Sequence, residues 1–136
     1  MSVHLSLDWV GDLSFKNSEG SPAIELHSSK PGFASPPQAL AYATMACMAM
    51  DVVHVLTKGR HDLRALTVKF EGERASEAPR RFTVMHLAFI VTGAIPDAVV
   101  DRAIRLSKEK YCSVSNTLRP DLDFQTRFEI RPASDS

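Results

Sequence analysis

Residues 34 to 56 read ASPPQALAYATMACMAMDVVHVL, an almost unbroken apolar run that also carries a thiol, Cys47, and two ionisable groups, Asp51 and His54. Ser35 is placed to act as an N-cap, with Pro36 and Pro37 in a first turn where a missing N–H is no loss. Ala39, Ala41, Ala43, Ala46 and Ala49 favour helix and let neighbouring backbones approach closely. The pattern predicts a helix that stops near Gly59, with Lys58 and Arg60 suited to its negative end. A helix apolar on every face needs cover on every face. One sheet of a small chain covers one side, so a second subunit is the expected cover for the other.

From Ala39 to Leu56 the run approaches the roughly 20 residues of a bilayer-spanning helix. Against that reading stand the interior Asp51 and His54, the preponderance of Ala and Met over Leu and Ile, and the lack of a second span. The chain has 136 residues, 44% of them hydrophobic, which fits one domain over 1–136 with a core of its own. Sixteen basic and sixteen acidic residues leave no net charge and no basic cluster, so neither nucleic acid nor an anionic membrane surface is an expected partner. The N-terminal MSVHLSLDWVGDL lacks a basic start and is interrupted by Asp8 and Asp12, unlike a secretory signal. A cytoplasmic location is therefore expected.

The rest of the chain supplies strands. Val3 to Trp9 alternates, Leu13 to Lys16 and Ala23 to His27 are short strand candidates, and residues 17–20 form a turn. Leu63 to Arg74 and Arg81 to Thr92 alternate on either side of a turn at 77–80, the pattern of a long hairpin. Pro96 opens a second helix with Ile95, Val99, Ala103, Leu106 and Lys110 along one face, and Leu122 to Ile130 is a last strand before the tail PASDS. The order is three strands, buried helix, two long strands, helix, strand: an α+β fold.

There is no glycine-rich phosphate loop, no metal-spaced His/Cys cluster and no nucleophile elbow. The five histidines, His4, His27, His54, His61 and His86, are scattered, and single histidines of this kind are most often structural. Two thiols remain, Cys47 in TMACMAMD and Cys112 in EKYCSVSNTL. Free cysteine is among the most buried residue types, so composition alone favours two inert, buried thiols.

The segments SPPQALAYATMACMAMDVVHVL and EKYCSVSNTLRP, in that order, resemble the OsmC/Ohr family, and particularly its OsmC-like subgroup. The resemblance implies an intertwined homodimer in which sheets wrap two paired central helices, with pockets at the subunit interface. It also implies thiol-dependent reduction of organic hydroperoxides: Cys47 attacks the peroxide, Cys112 resolves the sulfenic acid as a disulfide, and a small dithiol restores both. No metal or organic cofactor is implied. Met45, Met48 and Met50 would give an adaptable lining for a greasy substrate.

Hydroperoxide reductases of that family use an arginine from the N-terminal strands, held by a glutamate near the start of the buried helix. No arginine precedes Arg60 here; the nearest N-terminal cation is Lys16. The glutamate's place falls on Gln38 or Pro37 according to the spacing used, and nine residues of helix put Gln38 on the opposite face, roughly 13 Å from Cys47. Asp51, at i+4, shares the Cys47 face; it is read as a partner of a basic residue or as order at the helix end, and otherwise as a proton acceptor near the pocket or a partner for His54. His54 is expected in the core or an interface, Tyr42 at the interface, Trp9 on the early sheet, and Arg119 as a loop residue or a substitute cation. Two other functions fit the same sequence: a non-catalytic dimer holding a small apolar or thiol ligand in an interfacial pocket, and a purely structural dimer with inert thiols.

Overall fold

The computed structural model describes residues 4–17 and 23–133. By contact the chain divides into two compact units, Met1–Tyr42 and Ala43–Ser136, the boundary falling inside the long helix. The first unit contains a small antiparallel sheet of β1 (Asp8–Trp9), β2 (Ser14–Lys16) and β3 (Glu25–His27). Trp9 pairs with Phe15 and Phe15 with Leu26. The strands are shorter than the alternation predicts. Residues 4–7 are not strand, and most of the predicted turn at 17–20, like the last three residues of the tail, lies outside the described residues. The buried ring of His27 holds this unit's polar centre, bonded through Nδ1 to the Ser14 hydroxyl and through Nε2 to Glu25 at 2.7 Å. Trp9 does not pack on the sheet: it is 67% exposed, and its indole N–H donates to the Asp12 carbonyl.

Helix α1 (Pro36–Lys58) starts as its punctuation predicts. Ser35 Oγ accepts from the Gln38 N–H at 3.4 Å while Gln38 Oε1 accepts from the Ser35 N–H at 3.0 Å, the reciprocal arrangement of a capping box. At the far end the residue with positive φ is Arg60, at 59°, rather than Gly59. The chain continues into β4 (Ala65–Arg74) and β5 (Phe82–Thr92), an antiparallel hairpin, then α2 (Asp97–Leu106), a π-helical turn over Ser107–Tyr111, a short 3₁₀ turn over Ser115–Thr117, and β6 (Asp123–Arg131). Strand β6 lies parallel to β5, in the order β4-β5-β6. Parallel neighbours need a crossover, and α2 with the turns after it provides one.

Burial alternates along β6 and over the first half of β4, while β5, buried at every residue from Leu87 to Val91, is the central strand between them. Phe89 faces Val68 on one side and Phe128 on the other; Val91 faces Leu66 and Ile130; Met85 faces Phe124. This face joins Met48, Val52 and Leu56 of α1 and Val100, Ala103 and Ile104 of α2 in one apolar core. Of the face expected for the second helix, Ile95 and Ala103 are buried, joined by Val100, Ile104 and Ser107, while Val99 and Leu106 are half-buried and Lys110 is exposed with its ammonium over the Tyr111 ring. Among the described residues α1 is the one helix long and apolar enough to cross a bilayer, yet only 28% of its most apolar stretch is buried within the chain. Its buried side chains, Ala41, Thr44, Met48, Val52 and Leu56, recur every three or four residues. The opposite side, with Tyr42, Ala46, Met50 and Val53, is exposed, so the chain by itself covers one face of the helix, as expected from one small sheet.

Candidate functional site

Cys47 lies on α1 one turn before Asp51, and the i, i+4 spacing stacks their side chains on one face. Cys112 arrives from the other side of the site, at the end of the π-helical turn. Its N–H donates to the Ser107 carbonyl five residues back at 2.8 Å. That wider turn sets the thiol beside α1: the two sulfurs and a carboxylate oxygen of Asp51 all lie within 4.8 Å of one another. Sixty-odd residues of intervening chain say nothing about this proximity; the crossover between β5 and β6 produces it.

The surroundings hold these groups in place. Ser107, fully buried, donates its hydroxyl to Asp51 Oδ2 at 2.8 Å, so Asp51 is partnered by a neutral hydroxyl instead of the expected basic residue. The Ser115 N–H donates to Cys112 Sγ at 3.2 Å, the thiol standing where an N-cap oxygen would stand at the start of the 3₁₀ turn. Asn116 Nδ2 ties the loop together by donating to the carbonyls of Cys112 at 2.8 Å and Lys108 at 3.1 Å. Sequence reasoning passed over Ser107, Ser115 and Asn116. For the last two the signal was present in Cys-Ser-Val-Ser-Asn, a cap-like spacing after the thiol.

The two thiols differ in environment. Cys112 is fully buried while Cys47 is half-buried. Burial pushes the Cys112 thiol up from its ordinary value, opposed by the Ser115 hydrogen bonds and reinforced by the neighbouring Cys47. Next to Asp51 the surface opens into a groove of about 690 Å³ between α1 and α2, lined by Asp51, His54, Lys58, Arg102, Leu106 and Tyr111. His54 is exposed on this groove and not in the core of the chain.

Other expected site residues lie elsewhere. Gln38 is exposed and engaged in the capping box. Arg119 forks onto Asp121 with bonds of 2.9 and 3.0 Å on the surface before β6. Lys16 is exposed on β2. Met48 is a core residue with no exposure, Met45 packs partly against the same core, and Met50 is 69% exposed on the opposite side of α1, so the three methionines do not form one lining.

Residues 28–127 match the family of OsmC-like proteins. Protein YhfA of Escherichia coli (strain K12) is 40% identical over 125 residues, covering 90% of this chain and 93% of YhfA. The crystal structure of a hypothetical protein from Aquifex aeolicus VF5 superposes with a TM-score of 0.88 at 21% identity, covering 98% of this chain and all of that one. The structure of an organic hydroperoxide resistance protein OsmC from Legionella pneumophila superposes with a TM-score of 0.66 at 16% identity, covering 91% and 95% of the two chains, which is a likeness of fold.

Proposed function

The chain belongs to the OsmC-like protein family, and from that premise we propose that it reduces organic hydroperoxides through Cys47 and Cys112. The observation that carries the reading is the approach of the two sulfurs to within 4.8 Å across two separate elements of the fold. Inert core cysteines have no reason to meet beside a carboxylate and an open groove. The difference in burial supports the division of roles. Cys47, half-buried, is the thiol a peroxide reaches; Cys112, fully buried beside it, is shielded from the substrate and left for the second step.

In the first step the Cys47 thiolate attacks the distal peroxide oxygen. The O–O bond breaks, Cys47 becomes a sulfenic acid, and the alkoxide leaves as an alcohol after taking up a proton. In the second, Cys112 sulfur attacks the sulfenic sulfur, a disulfide forms and water leaves with the Cys112 proton. A dithiol of low molecular weight returns two electrons and two protons, restoring both thiols. Asp51, hydrogen-bonded to Ser107 and adjacent to both sulfurs, is the group placed to relay those protons. No residue before Arg60 supplies the family's N-terminal arginine, so in this reading the chain relies on another group to activate the thiol.

The working form in this reading is a homodimer. Tyr42, Ala46, Met50 and Val53 leave an apolar stripe on α1, and Leu5, Leu7, Leu13 and Phe15 are also exposed. A second copy covering that stripe explains it. Sedimentation showing a monomer at micromolar concentration would remove this part of the reading.

The test is a titration of the reduced protein with organic and hydrogen peroxide in parallel, counting free thiols and identifying linked peptides by mass spectrometry. One equivalent of organic peroxide is expected to consume both thiols and yield a Cys47–Cys112 disulfide, with Cys47→Ser abolishing consumption. Thiols that survive excess peroxide in the folded protein would refute the activity.

A further inference from the structure

Two thiols and a carboxylate converging from two elements are also the ligand set of a soft divalent cation. We propose that Cys47, Asp51 and Cys112 form a zinc-binding site with one coordination position left open to solvent. Nothing in the sequence spacing signals it, because metal-site patterns depend on ligands close together along the chain, whereas Cys112 comes from the crossover.

Three observations carry the inference. First, the ligand atoms lie within 4.8 Å of one another. Tetrahedral zinc with Zn–S bonds of about 2.3 Å needs sulfurs about 3.8 Å apart, so closure asks for a shift of at most about 1 Å between them, within the reach of side-chain rotation. Second, Cys47 and Asp51 sit one helical turn apart on the same face, the spacing by which a helix presents two ligands to one metal. Third, outer contacts of the kind that orient metal ligands are already in place. The Ser115 N–H points at Cys112 Sγ, and the buried Ser107 hydroxyl occupies Asp51 Oδ2, leaving Oδ1 available.

Thiolate donors select zinc and its softer neighbours over magnesium or calcium. Asp51 also lines the open groove between α1 and α2, which gives the ion a route in and leaves room for a water as fourth ligand. Binding deprotonates both thiols and releases two protons per ion. Both sulfurs are then committed to the metal. Peroxide and zinc compete for the same pair, and the occupied site resists oxidation. The binding itself uses only the thiols and Asp51, so it stands or falls independently of the peroxide chemistry.

Cobalt(II) serves as the optical probe in zinc's place. Reduced protein under argon, titrated with Co²⁺, is expected to develop the thiolate charge-transfer and intense visible bands of a tetrahedral site at one equivalent, bleached by Zn²⁺ with release of two protons on initial loading. Cys112→Ser is expected to lose most of the charge-transfer intensity, and Asp51→Asn to keep the thiolate bands while weakening affinity at least about tenfold. Should the serine variant fail to fold, the wild-type titration and Asp51→Asn decide alone. No charge-transfer band in the folded wild-type protein, or bands and affinity unchanged in Asp51→Asn, would overturn the site. Peroxide-resistant thiols with normal cobalt bands would refute the peroxidase reading and leave the metal site intact.

Discussion

Removing the Ser107 hydroxyl tests whether the bond to Asp51 is structural. Ser107 is fully buried and donates to a carboxylate oxygen at 2.8 Å, 56 residues away along the chain. Hydrogen bonds to charged groups contribute about 1.5–3 kcal/mol net, and because Asp51 is only half-buried, water recovers part of the loss, so Ser107→Ala is expected at the lower end, about 1.5–2 kcal/mol. For 136 residues the unfolding entropy near the midpoint is about 0.29 kcal/mol/K, which converts that loss into a fall of about 5–7 °C in Tm. Circular dichroism during heating reads the midpoint, and urea unfolding reads the free energy, with an unchanged m-value confirming that only stability has moved. Asp51→Ala and the double variant complete a cycle whose coupling energy isolates the pair. Strict additivity of the two single variants would refute the argument, since it would mean that Ser107 and Asp51 do not stabilise one another.

Three further outcomes follow from the same structure. Because burial raises the folded-state pKa of Cys112 above its unfolded value, its contribution to stability is fully present below the ordinary thiol range and is lost as pH rises from about 8.5 upward; urea midpoints should fall over that range in the reduced protein and fall less in Cys112→Ala. Phe89→Ala empties the centre of the β4-β5-β6 face, where Phe89 has no exposure, and should lower the free energy of unfolding by about 3–5 kcal/mol in urea melts. Gln38→Ala removes one arm of the capping box and should lower stability by roughly 1 kcal/mol while leaving the rate of Cys47 alkylation unchanged; a large change in that rate would show that Gln38 reaches the thiol.

What was legible in the sequence was whatever depended on local pattern. Ser35, the prolines and Gln38 mark the start of α1, and the alternation from Leu66 to Phe70 and from Met85 to Val91 fixes both the strands and their inward face. Misreadings arise where a non-local choice intervenes. On α2 the apolar period alone admits Val99 or Val100 as the inward residue, and packing beside β5 and β6 selects Val100. The apolar faces of α1 show that cover is needed all round, and the chain itself supplies core for one face only, as a small chain with one sheet on that helix would. At the site, the two cysteines and Asp51 were visible as residues, but their meeting was not, because it depends on the π-helical turn that widens the backbone just before Cys112. Ser107 could be recognised as a partner only once that turn had been seen.

The parallel pairing of β5 with β6 also dictates when the site comes into being. A hairpin such as β4 and β5 closes locally and early, but a parallel strand waits for its crossover to be synthesised and folded back. Cys112 lies within that crossover, so it is fixed only when β6, through Arg131, has docked at its far end. On the ribosome, α1 emerges with Cys47 long before Cys112 exists. The nascent chain therefore passes through an interval with one solitary thiol, and the pair is completed only after β6 has been made. Chains cut short before Asp123 keep Cys47 and lose the pinned partner, which makes the thiol pair a mark of chains that have folded through β6.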